Sequence, residues 1–302
     1  QFRKGIAIKS LSGASLSKIP IPLPHLAEQH RIVSRIEELI PLIDEYADRE
    51  QQLAILNTTL PDTLKKSILQ HAIQGKLVLQ NLSDESASVL LDKIRKEKEQ
   101  LIKAGKLKRD KNESFIYKNT VDNSYYEKTG GETRCIDNEI PFDVPDSWEW
   151  VRLKNIIELY SGRDLLPQEY NANYQGVPYI TGASNISNGE IIVNRWTKTP
   201  AVVSIKNDLL ISCKGTVGTM AFNTLGNIHI ARQIMAIRAF SFDIEYIRMF
   251  LLWYMPNLIQ QAKSMIPGIS REHILDALIP VPPSKEQQRI IEKTNQIFTL
   301  CH

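Results

Sequence analysis

The run Ile211-Ser-Cys-Lys-Gly-Thr-Val-Gly218 sets a thiol, an ammonium, hydroxyls and two glycines within a single short stretch. Its glycines are not spaced as in a phosphate loop, which ends in Gly-Lys-Ser/Thr. Nor do they form a dinucleotide fingerprint, which needs three glycines and a following acidic residue. Cys213 follows Leu209-Leu-Ile without an accompanying histidine and orienting carboxylate, so a small buried hydrophobe explains it better than a nucleophile does. Asp143 and Asp146 lie in a proline-rich loop, where turn formation serves as well as metal binding. The three cysteines, Cys135, Cys213 and Cys301, and the six histidines show no metal-ligand spacing, which points to a reducing compartment and no structural zinc.

Recognition chemistry is better represented. A strand that delivers Lys214-Gly-Thr216-Val-Gly to a turn presents backbone N–H groups, a hydroxyl and an ammonium together, as a phosphate requires. A tight hairpin with a solvated lysine is the plainer alternative. Further basic and amide residues flank turns: Arg163 after Ser161-Gly162, Thr181 and Asn185 in Thr-Gly-Ala-Ser-Asn, Arg195 and Lys198 around Trp196, the pair Arg232-Gln233, and Lys263. Guanidinium groups match guanine edges and amides match adenine edges in a major groove, although polar loop residues are common on any surface.

The elements that must carry these residues follow from periodicity. From Ile140 to Pro283, β-branched and aromatic residues come in short runs between Gly, Asn and Pro turns. Val151–Leu153, 176–181, 190–193, 208–212 and Ile234–Ala239 read as strands, with one helix from Asp243 to about Gln261 despite Pro256. Upstream, Ile32, Ile36, Leu39, Ile43, Tyr46, Leu53, Leu56 and Leu60 recur mostly three, four or seven apart and predict a helix about 50 Å long, kinked at Pro41. A second helix is expected from Pro61 to Gln74, carrying Ile68, and a third from about Asp84 to Ala104. A stripe on one side of a long helix needs a partner helix to cover it. Residues 106–139 are polar and aperiodic and read as a linker or mobile loop.

With 302 residues, 42% hydrophobic and 24% charged, the chain can bury one or two cores, and its net charge of +3 is not that of a general polycation. Asp92–Lys111 is richer, with nine Lys/Arg against four Asp/Glu, and reads equally as a phosphate-facing patch or a solvated helix end. No stretch reaches the roughly 18 apolar residues of a spanning helix.

An internal echo organises the whole. Ile21-Pro-Leu-Pro-His-Leu-Ala-Glu-Gln-His-Arg-Ile recurs as Ile279-Pro-Val-Pro-Pro-Ser-Lys-Glu-Gln-Gln-Arg-Ile, a proline-punctuated extended stretch followed by a helix start. The spacing is too long for a stacked solenoid and suits two large similar units.

These segments resemble the DNA specificity subunits of type I restriction-modification systems. The resemblance lies in the echo itself, in Leu64-Lys-Lys-Ser-Ile-Leu-Gln-His-Ala-Ile-Gln-Gly-Lys-Leu-Val78, in the 90–106 helix, in Pro141-Phe-Asp-Val-Pro-Asp-Ser-Trp-Glu-Trp-Val-Arg-Leu153, and in Gly268-Ile-Ser270, with Gly13-Ala-Ser15 as its earlier counterpart. It implies an α+β fold, a mixed and mainly β target recognition domain joined to long antiparallel, coiled-coil-like spacer helices. Residues 1–24 would close a first recognition domain, 25–107 form the central helical region, 108–139 a polar linker, 140–283 a second recognition domain and 284–302 the start of a distal helix. Gln1-Phe-Arg-Lys-Gly5 reads as domain interior and favours a fragment of a longer subunit, with a half-subunit whose two copies assemble head to tail as the alternative.

Functionally, the resemblance implies a prokaryotic, cytoplasmic and non-catalytic chain that binds duplex DNA. It would dock two methyltransferase (modification) subunits and, in the full complex, restriction/translocase subunits, through a spacer bearing Ile32, Ile36, Leu39, Ile43, Leu53, Leu56 and Ile68. S-adenosylmethionine, ATP and Mg are then expected on those partners and no cofactor on this chain. No Asn-Pro-Pro-Phe/Tyr or Asp-Pro-Pro-Tyr motif of amino-methyltransferases occurs in the sequence. A recognition domain detached from a DNA methyltransferase or single-chain restriction enzyme is the main alternative, and a helical scaffold without base reading is the third.

Overall fold

The computed structural model describes residues 13–110, 112–262 and 268–300. The chain divides into two compact units, Gln1–Leu60 and Pro61–His302. Helices α1 (Gly13–Leu16), α2 (Leu26–Ile73) and α3 (Ala87–Lys103) come first, followed by strands β1 (Ser114–Lys118), β2 (Tyr125–Thr129) and β3 (Glu132–Cys135). The stretch 140–283 holds β4 (Glu149–Arg152), β5 (Ile157–Ser161), β6 (Val177–Ile180), β7 (Ile186–Ser187), β8 (Glu190–Ile191), β9 (Trp196–Thr197) and β10 (Val203–Ser204). It continues with β11 (Leu209–Ser212), β12 (Met220–Phe222), β13 (Ile228–Ile230), β14 (Ile234–Ala239), α4 (Ile244–Ala262), α5 (Arg271–Leu275) and β15 (Leu278–Val281). Helix α6 (Ser284–Leu300) ends the described chain.

Helix α2 runs through Pro41 and Pro61, so the helix expected to open at Pro61 is the continuation of the one before it. A proline forfeits one backbone hydrogen bond, whereas a break leaves a whole turn of donors and acceptors unpaired. In the first unit, Ile32, Ile36, Leu39, Ile43, Leu53 and Leu56 are exposed, and so are Val33, Ile40 and Ile55. This apolar surface is broader than the single stripe expected. Ile68 differs from them: within the second unit it is buried, like Leu69, Ala72 and Ile73. Helix α3 stops as expected before Gly105, whose φ of +68° is a left-handed conformation suited to glycine.

The stretch expected as a linker or mobile loop contains a three-stranded antiparallel sheet, β1-β2-β3. One of its faces buries Ile116 and Tyr125 in a cluster with Ile136 and Trp150. Beside them on β2 lies Glu127, only 3% exposed, which receives Arg152 Nε at 3.0 Å and Nη2 at 2.8 Å. A glutamate on an inward face looks like a surface residue until its arginine, distant in sequence, is seen. The basic run that begins at Asp92 is likewise partly neutralised: Lys93, Arg95, Lys98 and Arg109 pair with Glu85, Asp92, Glu113 and Glu99.

Two four-stranded sheets, β12-β11-β14-β5 and β10-β13-β6-β9, form the centre of the second unit. Alternate residues of β11 and β14 serve opposite faces. Leu209, Ile211, Met235 and Ile237 join the large core built around Tyr246, Ile247, Phe250 and Leu251 of α4. Leu210, Ile234 and Ala236 meet Ile180, Ile228 and Ile230 in a second core. Burial on both faces explains why these strands read as nearly continuous apolar runs. Strand β15 pairs with β4, aligning Ile279 with Val151 and Pro280 with Trp150.

Candidate nucleic-acid interface

The loops at one end of these strands converge on the turn Ala231–Ile234, closed by Ile234 N–H donating to Ala231 C=O at 2.9 Å. Three strand ends bind that turn through the backbone: Gly162 N to Ile234 O, Ala231 N to Ile180 O, and Cys213 N to Gln233 O. Gly162 must be glycine here, since a Cβ would lie 2.1 Å from the Ala231 carbonyl oxygen. Arg163 follows β5, Thr181 follows β6, Lys214 follows β11, and Arg232 and Gln233 form the turn itself. Five of the residues expected to meet DNA are thus gathered although they lie far apart in sequence.

Their surroundings differ. Arg163 is exposed, its backbone N–H donating to Ile230 O and its carbonyl meeting His229 Nε2 at 2.9 Å. His229 is fully buried, and burial pushes its imidazole pKa down against the opposing bonds to Val202 and Arg163. Its Nδ1 lies 2.9 Å from Val202 O and 3.2 Å from Val202 N, so each ring nitrogen faces a backbone carbonyl. Lys214 and Thr216 are exposed in the β11–β12 turn, with Gly215 at φ +74°. Ser212 shapes this turn by donating to Thr216 O at 2.5 Å while accepting from Thr219 N at 2.9 Å. Across it, Lys214 bridges to Gly268, and Ile269 N–H donates to Cys213 O. Cys213 is buried, its thiol pKa raised by that burial, as suits a packing residue.

Arg232 is not a bare cation. Its Nε lies 2.6 Å from Asp164 Oδ2, and its backbone N–H donates to Asp164 Oδ1 at 3.1 Å. Gln233 is exposed, and its Oε1 would stand 2.6 Å from a Cβ at Gly182. One strand over, Arg195 is half-buried, its guanidinium 5.0 Å from the centre of the Tyr170 ring. Lys198 is exposed just beyond the pairing of Thr197 with Val177, at the start of β6 rather than at the Thr181 end. Among the described residues neither Lys198 nor Lys214 has an ion pair. Lys263 lies outside the described residues.

Asn185 does not face outward. It is 1% exposed, accepts from Thr181 N and Oγ1 through Oδ1, and donates through Nδ2 to Ile192 O and Asn194 Oδ1. An amide spent on its own loop has nothing left for a base edge, so Asn185 and the Thr181 hydroxyl hold the loop's shape. Sequence reasoning missed Asp164, His229 and Gly182. Only Asp164 carried a local signal, its place beside Arg163, and nothing in the sequence tied it to Arg232. Among the described residues no group of three or more His, Cys, Asp and Glu could hold a metal ion, and no helix is long and apolar enough to cross a membrane.

The family model for the type I restriction modification DNA specificity domain matches residues 1–54 and 145–300. The chain is similar to the EcoAI specificity subunit of Escherichia coli, 28% identical over 94% of this chain and 54% of that protein. It is also similar to the E. coli EcoEI specificity subunit, 26% identical over 79% of this chain and 39% of that one. It thus spans about half or less of the curated relatives it matches. In fold it resembles the crystal structure of the HsdS subunit from Thermoanaerobacter tengcongensis, with a TM-score of 0.53 and 19% identity over 99% of this chain and 57% of that one. Matched by the family model over well more than half its length, the chain belongs to the type I restriction-modification DNA specificity family.

Proposed function

We propose that residues 140–283 form a target recognition domain that binds duplex DNA and reads one half of a bipartite site. The carrying observation is the gathering of Arg163, Lys214, Arg232 and Gln233 around one turn by backbone hydrogen bonds from three strands. A rim held this way presents cations and an amide at fixed spacing, which groove reading requires. Lys214 and Lys198, exposed and without an ion pair, suit phosphates. The exposed apolar surface of residues 26–60, with Ile32, Ile36, Leu39, Ile43, Leu53 and Leu56, is the spacer that a partner helix and the modification subunits would cover. The chain itself reads and does not catalyse: methylation, with S-adenosylmethionine, and ATP-driven restriction belong to the partners.

The test is selection of randomised duplexes by this chain across a salt series, with sequencing of the retained DNA, alone and with a modification subunit. A short enriched half-site supports the reading, and retention without enriched bases refutes it. Lys214→Ala should weaken binding to all duplexes alike and reduce the slope of log affinity against log salt by about 1.

A further inference from the structure

Arg232 and Asp164 are a clamped pair at the centre of the rim. One carboxylate addresses both the side chain and the main chain of the same arginine, through Oδ2 at Nε and Oδ1 at the backbone N–H. The main-chain bond fixes where the side chain starts, and the ion pair at Nε fixes where the guanidinium lies. The pair is not a buried structural bridge, because the Arg232 side chain is 69% exposed and that of Asp164 46%. The far end of the guanidinium, with its two Nη groups, is the part of the fork left to project from the loop.

A neutralised arginine is a poor anchor for a phosphate, since the carboxylate beside it repels the same anion that the guanidinium attracts. The same pair loses little toward guanine O6 and N7, which are neutral acceptors with the spacing of two parallel N–H donors. Clamping also lowers the rotamer entropy that a free arginine loses on binding. Lys214, exposed and without an ion pair among the described residues, has the opposite character. The rim therefore separates charge for affinity from a charge-neutral fork for discrimination.

We infer that Arg232 reads a guanine in the half-site and that Asp164, which nothing in the sequence tied to Arg232, is the positioning residue that makes it selective. The inference rests on the reading of this domain as a DNA-binding module.

The full chain as wild type, Arg232→Lys, Arg232→Ala, Asp164→Asn and Asp164→Ala is put through the same selection, with affinity for random duplex and its salt slope measured in parallel. Arg232→Lys keeps the charge and loses the fork. It should erase the preference for guanine at one position, by about tenfold or more, with random-duplex affinity and salt slope unchanged. Arg232→Ala should erase it too, with random-duplex affinity falling, because the Asp164 carboxylate is left unpaired. Asp164→Asn and Asp164→Ala should flatten that same position while random-duplex affinity rises, because a cation is released. Thermal melting of each variant checks that the exposed substitutions leave the fold intact. A guanine preference that survives in either Asp164 variant overturns the positioning role, and one that survives in Arg232→Lys overturns the fork. A wild-type chain that enriches no sequence refutes the DNA reading itself. A wild-type half-site left unaltered by every variant refutes only this inference.

Discussion

Gln29 and Gln287 make the same hydrogen bond, each donating from Nε2 to the carbonyl of the proline five residues before it, Pro24 at 2.8 Å and Pro282 at 2.9 Å. Beyond that shared cap, the two copies of the repeated segment part company. In the second copy Ile279 and Val281 are fully buried on β15, paired to β4, and Glu286 is 1% exposed, receiving Gln80 Nε2 at 2.6 Å and Trp148 Nε1 at 3.1 Å. Arg289 reaches Asp84 at 2.6 Å. In the first copy Ile21 is 79% and Leu23 84% exposed, and Glu28 and Arg31 are exposed too. The repeated letters thus encode two separable things. The cap is complete within six residues and forms in both copies. The apolar strand and the glutamate become core only where a second strand and a tryptophan are laid against them.

The comparison breaks most severely at the partner strand. Arg152 lies on β4 opposite Leu278, and besides Glu127 it holds Glu139 Oε2 at 2.7 Å and the Asp276 carbonyl at 2.8 Å. Arg152→Ala leaves the buried Glu127 carboxylate with the more exposed Arg134 as its remaining ion-pair partner and should cost about 3 kcal/mol in urea denaturation. A loss under about 1 kcal/mol would show that β4 holds the second copy without this network. The same pair sets an acid limit. Burial raises the Glu127 pKa, but hydrogen bonds from Arg152 and Arg134 outweigh it and bring the carboxyl from 4.5 to about 2. With the folded pKa below the unfolded one, this stabilisation is present above pH 4.5 and is lost as pH falls through about 2. Glu127→Gln should flatten that limb of the stability curve, and an unchanged limb would reassign it to other carboxylates.

Glu286 against Glu28 sharpens the contrast within the echo. Glu286→Ala leaves Trp148 Nε1 and the Gln80 amide without their acceptor and should cost about 1 to 3 kcal/mol, whereas exposed Glu28→Ala should stay within about 0.5 kcal/mol. The pH signature runs opposite to that of Glu127. Burial raises the Glu286 carboxyl above 4.5, against the hydrogen bonds from Trp148 and Gln80, so its contribution is full below that value and is lost as pH rises through the folded pKa. Equal costs at positions 28 and 286 would contradict the difference in surroundings.

What could be read from the residues alone follows the same division between local and distant causes. Helix α3 with its glycine stop, the strands Leu209–Ser212 and Ile234–Ala239, and the long helix from Leu26 were visible because spacing and end signals sit within a few residues. Pro61 misled because a proline's local penalty says nothing of the turns on either side that continue past it. The sheet β1-β2-β3 stayed hidden because Glu127, on its inner face, is made tolerable by an arginine that the chain reaches only later. At the rim, Arg163, Lys214, Arg232 and Gln233 could be named by type, but their convergence comes from backbone bonds between strands distant in sequence. Asn185 shows the limit from the other side: an amide beside a turn has one appearance in sequence, whether it faces a base or closes its own loop.

The smallest effect concerns the feature both copies share. Gln287 is 2% exposed, and besides its bond to Pro282 its Oε1 lies 3.4 Å from the Asp243 backbone nitrogen. Gln287→Ala removes a buried donor from a buried carbonyl and should cost about 1 kcal/mol in denaturation. Gln29 makes the corresponding bond with water able to replace it, so Gln29→Ala should leave global stability within about 0.5 kcal/mol. Its effect should instead appear locally, as faster amide hydrogen exchange in the first turn of α2, where Glu28 and Gln29 N–H both donate to His25 O. Unchanged exchange there would mean that the first copy's helix start is set by the Pro20-Ile-Pro-Leu-Pro24 run alone. Faster exchange would show that one glutamine cap operates in both copies, and that only its surroundings decide how much stability it contributes.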